Sequence, residues 1–464
     1  MVSDCPRLVI AGSASGVGKT SLAVGLAYEL TRRGLRVQTF KVGPDFLDPT
    51  LLARASGRTC YNLDGWMTSR DYVCRLFARA TAGADIAVVE GVMGMFDGAS
   101  PATLEGSTAE IAAWLDAPLL LVAGAHGAAR SLAATVKGFA EFEPGIRVAG
   151  VIANQGGSDR HRAWLAEALA AAGLPPLLGA VPRGAIPTLP SRHLGLVAAD
   201  PQTLATPILE QLADAIREHV DVPAVIALAQ SAAACGFAGF APPPCEAASG
   251  SAFRLGLAWD DAFQFYYADN LEAFSQRGVE ICRFSPLADA GLPAGLDGLY
   301  FGGGYPELHA ARLAENRAML AGVRAFAASG RPVYAECGGL MYLGRSLTTC
   351  DGVRHAMAGA APLETAMLPR LKTLGYAEVS LQADSLWGPA GAVCRGHEFH
   401  YSEIAAADGA DDGWRPAYTL RRPRGGSAAE GFARGNILAS YVHLHWASRP
   451  EVIDGWLARW EASR

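Results

Sequence analysis

Short apolar, β-branched runs alternate with Ala- and Leu-rich amphipathic stretches from residue 7 to about 220, and this alternation narrows the choice of fold more than any other feature of the chain. The runs are Leu8–Ile10, Val37–Val42, Ile86–Val89, Leu119–Val122 and Val148–Ile152. Strands separated by helical stretches pair in parallel through crossover connections, and a strand covered on both faces reads as a continuous apolar run. The first part of the chain is therefore predicted to be α/β. The pattern breaks over residues 231–252, from Ser231 through Pro242-Pro243-Pro244 to Gly250-Ser251, where Ala, Gly, Ser and Pro dominate and Glu246 is the one charged residue. That composition marks a linker. A second alternating pattern opens at Phe253-Arg254-Leu255-Gly256-Leu257, continues through Gly298–Phe301 and Val333–Ala335, and turns strand-rich from about 355 to 445. The 464 residues exceed a single core. The expected organisation is a domain over 1–230, a linker over 231–252 and a domain over 253–464.

Half of the residues are hydrophobic, 18% are charged and the formal net charge is −6. No basic stripe stands out, which argues against a nucleic-acid partner. The nine cysteines are odd in number and lack the paired spacing of a disulfide framework, so a reducing cytoplasm is expected. The passage from Met1 to Leu8-Val9-Ile10 shows no charged-then-apolar leader, so a signal peptide is not expected. Val222 to Pro244 carries no charge, but Pro223, Gly236, Gly239 and Pro242 to Pro244 interrupt it, so no membrane span is expected. The oligomeric state, a homodimer included, stays open.

Gly12-Ser13-Ala14-Ser15-Gly16-Val17-Gly18-Lys19-Thr20 follows the first apolar run and opens an amphipathic stretch, the context of a phosphate-binding loop. Backbone N–H groups around Gly12, Ser15, Gly16 and Gly18 would wrap the phosphates of a magnesium nucleotide. Lys19 would add a point charge, and the Thr20 hydroxyl would ligate Mg²⁺. The first glycine comes one residue earlier than in the commonest spacing, and this lengthened loop resembles the dethiobiotin synthetase type. The metal also needs carboxylates. Glu90 ends the run Ile86–Val89 at the carboxyl edge of the sheet and is the first choice of ligand, with Asp45 beside it. Asp48 and Asp97 lie in turns at the same edge; each acid alone reads as a turn residue or cap, and their convergence points to a site. Asn154, just beyond Val148–Ile152, is either an adenine contact or a turn residue.

Cys337 lies between the apolar run Val333–Ala335 and a helix-compatible stretch, with Gly338 and Gly339 directly after it. A thiol on a sharp strand-to-helix turn is placed for nucleophilic attack. The glycines admit a substrate to the backbone, and the start of the next helix is expected to favour the thiolate. Attack on a carboxamide requires a base and an oxyanion site. Gly303 and Gly304, in Phe301-Gly302-Gly303-Gly304-Tyr305-Pro306-Glu307, together with Gly338, are the candidate amide donors. His443 and His445 fall on one face of the strand-like segment Ala439–Trp446; His443 is the preferred base and His445 its neighbour or substitute. Cys394, His397 and His400 lack helical metal spacing, and alternation puts the two histidines on opposite faces, so zinc is not expected there.

Together these motifs resemble the cobyrinic acid a,c-diamide synthase family, glutamine-dependent enzymes of the corrin pathway. The likeness runs through Lys41–Pro49, Val89–Gly98, Gly106–Glu110, Ser191–Leu196, Phe263–Tyr267, Phe284–Leu287, Gly302–Glu307 and Ala335–Leu343. It implies an N-terminal P-loop NTPase-like, dethiobiotin synthetase-like parallel-sheet domain acting as an ATP-dependent amide ligase. It also implies a C-terminal class I glutamine amidotransferase-like α/β domain. ATP with Mg²⁺, glutamine and a corrinoid, cobyrinic or hydrogenobyrinic acid, are the implied partners. Cys337 would release ammonia from glutamine, while Asp45, Asp48 and Asp97 would hold metal or order the acceptor carboxylate for phosphorylation. The usual glutamate two residues after the catalytic histidine is replaced by His445, which leaves the third role unassigned. Cobyric acid synthase and nickel-sirohydrochlorin a,c-diamide synthase are the nearest rivals, and Glu90–Gly98 looks unlike the former. A partition-type ATPase switch with an inert tail is the rival of another class.

Overall fold

The computed structural model describes residues 5–187, 191–192, 195–196, 206–233, 253–407, 413–423 and 425–462. The chain divides into two compact units, Met1–Pro243 and Pro244–Arg464. Most of the expected linker, from 234 to 252, lies outside the described residues, as do His193 and Leu194 of the Ser191–Leu196 segment.

In the first unit seven strands form one sheet: β1 (Arg7–Gly12), β2 (Val37–Val42), β3 (Tyr61–Leu63), β4 (Ile86–Glu90), β5 (Leu119–Gly124), β6 (Val148–Gly156) and β7 (Leu177–Pro182). Their order is β3-β2-β4-β1-β5-β6-β7, and every pairing is parallel. All five predicted runs are strands. β3, with three residues, and β7, which carries Gly179 and Pro182, are too short and too broken to announce themselves. A two-residue hairpin, β8 (Ser191–Arg192) with β9 (Gly195–Leu196), stands apart. Leu8, Ile10, Val88 and Val122 of the sheet pack with Leu22 and Leu26 of the helix Lys19–Arg32, and with Leu212 and Ile216 of the helix Thr206–His219. The two helices meet at Gly25, where a Cβ would stand 2.9 Å from Ile216 Cγ1 and 3.0 Å from the Leu212 carbonyl. Because strand order reverses about β1, the loops after β1, β4 and β2 share a crevice beyond the carboxyl edge.

The second unit is built on a six-stranded sheet of β10 (Arg254–Ala258), β11 (Glu280–Phe284), β12 (Gly298–Phe301), β13 (Val333–Glu336), β22 (Phe432–Arg434) and β23 (Ile437–Ser440), in the order β11-β10-β12-β13-β23-β22. A five-stranded antiparallel sheet, β21-β20-β17-β18-β24, contains β17 (Thr373–Leu381), β18 (Val393–His400), β20 (Tyr418–Arg421), β21 (Ser427–Glu430) and β24 (His443–His445). Four further strands, β14 (Ser346–Thr348), β15 (Arg354–Ala356), β16 (Leu363–Met367) and β19 (Ser402–Ala407), form a third sheet. Alternation divides the main sheet between two cores. Leu299, Phe301, Val333 and Ala335 face the helices Arg317–Ala328 and Gly338–Leu343, whereas Tyr300, Tyr334 and Leu438 face Trp387, Trp446 and Trp456.

The run Ala439–Trp446, expected as one strand, is two. β23 ends in the parallel sheet and β24 enters the antiparallel one. Side chains take over the backbone groups at the break: Glu430 accepts from the Tyr441 amide (2.8 Å) and the Ser440 hydroxyl (2.6 Å), and Ser440 Oγ accepts from the Val442 amide (2.9 Å). No helix among the described residues is long and apolar enough to cross a membrane.

Candidate active sites

In the first unit the loop after β1 turns on Gly16 and Gly18, whose φ angles of 74° and 97° lie in the left-handed region. A Cβ on Gly18 would overlap the side-chain amide of Asn154. That amide donates to the Val17 carbonyl (2.8 Å), and its oxygen accepts from the Gln155 amide (2.9 Å). Asn154 thus braces the loop from the end of β6. Ser15 and Gly16 are exposed at the loop tip and Gly12 is buried at its base. Lys19 is buried, with Nζ donating to the carbonyls of Ala14 (3.2 Å) and Met93 (2.5 Å). Burial, and then Lys41, lower its pKa.

Behind the loop lies a cluster of buried charge. Thr20 Oγ1 donates to Glu90 Oε1 (2.7 Å) and meets Asp48 Oδ2 at 3.3 Å. Lys41 Nζ donates to Asp48 Oδ2 (2.5 Å), Glu90 Oε1 (2.9 Å) and the Gly91 carbonyl (3.1 Å). Burial opposes the Lys41 charge, but Asp48, Glu90 and Asp45 outweigh it and raise the lysine's pKa. Burial, followed by Asp48, raises Glu90. Asp45, expected beside Thr20 and Glu90, instead accepts the amides of Leu47 (2.8 Å) and Asp48 (3.0 Å), an Asx-type turn that presents Asp48 to the cluster. Asp97 likewise accepts the Gly94 amide (3.0 Å). Two buried carboxylates face one buried ammonium, and Glu90 Oε2 has no hydrogen-bond partner among the described residues. Surplus carboxylate oxygen beside a hydroxyl suits a hard divalent cation such as Mg²⁺. Lys41 escaped the sequence reading because a lysine inside a buried strand has no motif of its own.

In the second unit Cys337 joins β13 to the helix Gly338–Leu343 at φ 47°, ψ −98°, a strained conformation for a residue with a Cβ. Its amide donates to the Ser440 carbonyl (2.7 Å), and the Gly339 amide donates to that of Gly302 (3.0 Å). A Cβ on Gly339 would overlap the Phe301 carbonyl; one on Gly338 would sit 3.1 Å from the Gly304 amide nitrogen and 3.0 Å from Pro306 Cδ. Gly339 is thereby required, and Gly338 sits in tight contact with the oxyanion loop. The expected thiolate is not what the environment favours: burial pushes the Cys337 thiol up and Glu307 adds to this, against a lowering bond from the Gly338 amide. A six-residue helix start does not offset that desolvation.

His443 is 1% exposed and pairs across β18 with His397, their rings stacked at 5.0 Å. Burial, then His397 and His400, hold its pKa well below the ordinary imidazole value, so it is neutral. Gly303 lies against it so closely that a Cβ there would overlap His443 Cε1. An antiparallel bridge ties Gly303 to Phe265, and its carbonyl accepts from the amides of Gln264 (3.0 Å) and Phe265 (3.1 Å). His445 Nε2 stands 3.3 Å from Asp269 Oδ2, and its ring lies 4.7 Å from that of Tyr267, whose hydroxyl meets His397 Nδ1 at 3.0 Å. Glu336 binds the two halves of the site together. It accepts from Tyr300 OH (2.9 Å), Tyr334 OH (2.8 Å) and the amide of Leu444 (3.0 Å), so the residue before the thiol holds the residue between the histidines. Burial lifts its pKa to about 7. Asp269, Tyr267 and His397 come from distant segments, and neither the likeness at Tyr267 nor the spacing at His397 gave either a role in this site. Among the described residues no group of three or more acids, histidines or cysteines is placed to hold a metal. His397 turns toward His443, while His400 stacks on Tyr441.

The chain matches the model of the CobQ/CobB/MinD/ParA nucleotide binding domain over residues 8–197, and that of the CobB/CobQ-like glutamine amidotransferase domain over residues 254–451. It is 58% identical over 449 residues to a cobyrinate a,c-diamide synthase of Syntrophotalea carbinolica, covering 96% of this chain and 97% of the relative. It is 40% identical to the cobyrinate a,c-diamide synthase of Salmonella typhimurium, with 97% of each chain covered. A hydrogenobyrinate a,c-diamide synthase of Streptomyces coelicolor is 39% identical, with 99% of each covered.

Proposed function

The chain belongs to the cobyrinate/hydrogenobyrinate a,c-diamide synthase family, and from that premise we propose that it amidates the a- and c-acetate carboxylates of cobyrinate or hydrogenobyrinate. Glutamine supplies the nitrogen and ATP drives the reaction, within cobalamin biosynthesis. The observation that carries the reading is the junction at Cys337: a buried thiol on a strained turn, two closely packed glycines behind it, and a buried histidine whose strand is tied to the same junction through Glu336.

Cys337 attacks the side-chain amide of glutamine as His443 takes the thiol proton, and the amides of Gly304 and Gly338 receive the oxyanion. Gly303, whose carbonyl is engaged by Gln264 and Phe265, keeps its amide as a further candidate donor and makes room for His443. His443 then protonates the leaving ammonia and activates the water that cleaves the thioester. His445, tied to Asp269, holds the histidine strand in place.

In the first unit the backbone from Gly12 to Gly18 cradles the ATP phosphates, and Lys19 exchanges its carbonyl partners for them. Thr20, Asp48 and Glu90 would hold Mg²⁺, which when bound neutralises charge on the transferred phosphoryl. Lys41 bridges Asp48 and Glu90 and offsets their mutual repulsion, and Asp45 and Asp97 shape the turns that order the acceptor. The activated acceptor is an acyl phosphate, from which ammonia displaces phosphate. Purified protein given MgATP, glutamine and each macrocycle should yield product with two carboxyls converted to amides, read by mass. Cys337→Ser should lose glutamine-supported synthesis by on the order of 10³ or more and keep synthesis from free ammonia. Absence of amide product from either nitrogen source would overturn the reading.

A further inference from the structure

The mechanism above engages only the amide end of glutamine, and the free amino acid also carries an ammonium and a carboxylate at its other end. We propose that Glu307 receives the α-ammonium of the glutamine whose amide Cys337 attacks. The inference rests on the glutaminase reading of the second unit and names how that site recognises its donor.

Glu307 belongs to a single helical turn, Pro306–His309, that begins two residues after Gly304. Pro306 packs on Gly338, directly behind the thiol. Glu307 adds, after burial, to the upward push on the Cys337 thiol. Every other recessed carboxylate near the site has its donors. Glu336 takes two tyrosine hydroxyls and an amide, Glu430 a hydroxyl and an amide, Glu398 the fork of Arg422, and Asp269 the ring of His445. Glu307 differs from all of them: it is half-buried, and the one hydrogen bond acting on its carboxyl comes from its own backbone amide.

Burial pushes that carboxyl up to about 7. A recessed carboxylate without a cation is costly, and a native protein keeps one where a ligand brings the missing partner. The ligand that enters here carries an ammonium. Opposite charge beside Glu307 would favour its ionised form, and the pair would orient the amide toward the sulfur.

The test compares glutamine with glutaramate, which has the same amide and carboxylate and lacks the ammonium, by kcat/KM for ammonia release. Wild-type protein should prefer glutamine by about tenfold or more. In Glu307→Gln, which preserves shape, that ratio should collapse toward one through a raised KM for glutamine, and Glu307→Asp should recover part of it. Equal use of both amides by wild-type protein would overturn the inference without any variant, so a misfolded substitution does not shelter it. Retained preference in Glu307→Gln would overturn it equally. Wild-type protein that hydrolyses neither amide removes the glutaminase reading itself, a result distinct from hydrolysis without selectivity.

Discussion

Gly303 shows how much a missing side chain can decide. Its Cα lies where any Cβ would overlap His443 Cε1, and the imidazole is buried and stacked on His397. Gly303→Ala must therefore displace the base or the loop. A displacement of about 1 Å at a reacting group costs on the order of 10²-fold in rate, and overpacking a filled site costs about 1–3 kcal/mol. We expect glutamine hydrolysis to fall by about that factor in Gly303→Ala, with a lower melting temperature; wild-type kcat/KM in this variant would show that His443 is not the base. The glycines, Cys337, Lys19, Thr20 and Glu90 were legible in the sequence because each sits at a fixed offset from an apolar run. Asp45 and Asp48 were not separable, since two acids three apart in one turn offer the same chemistry until the turn shows which of them caps it. Lys41, Asp269, Tyr267 and His397 stayed hidden because their meaning comes from partners distant in the chain.

At the scale of elements, the junction of β13 with the helix Gly338–Leu343 concentrates backbone strain in one residue. Cys337 at φ 47°, ψ −98° is one of four described non-glycine residues with positive φ, beside Met93, Asp116 and Gln155. Such a conformation costs about 1–3 kcal/mol, and glycine adopts it without a Cβ clash. Glycine loses more chain entropy on folding, by roughly 0.5–1 kcal/mol relative to alanine, so the two effects oppose each other and the strain is the larger. Cys337→Gly should therefore be more stable than Cys337→Ala by about 1 kcal/mol, the reverse of the usual order, with both inactive toward glutamine. Chemical denaturation of the pair decides it, and an alanine variant more stable than the glycine variant would mean that the turn stores no strain. The sequence announced this junction through its glycines. It could not announce that Ala439–Trp446 is shared between two sheets, because alternation is the same on either side of Ser440 and the break is made by Glu430, a residue ten positions away.

At the scale of the whole molecule, two α/β units with separate cores divide the chain, one built around Leu8, Ile10, Val88 and Val122 and the other around the two faces of β12 and β13. Both kinds of core were foreseeable from apolar runs interrupted by helical stretches, since that pattern admits few other folds. On the proposed function each unit has its own ligand, the nucleotide in the first and glutamine in the second. A ligand that binds only the folded form at a hundredfold excess over its Kd stabilises by about 2.7 kcal/mol. For units of this size, each kcal/mol moves a melting temperature by about 2–4 °C. Calorimetry should then resolve two transitions, MgATP raising one by several degrees and glutamine, added to Cys337→Ser protein so that it is not consumed, raising the other. A single transition that either ligand shifts by its full increment would sink this division, because it would mean that the two cores melt as one cooperative body and that occupancy at either site is felt by the whole chain.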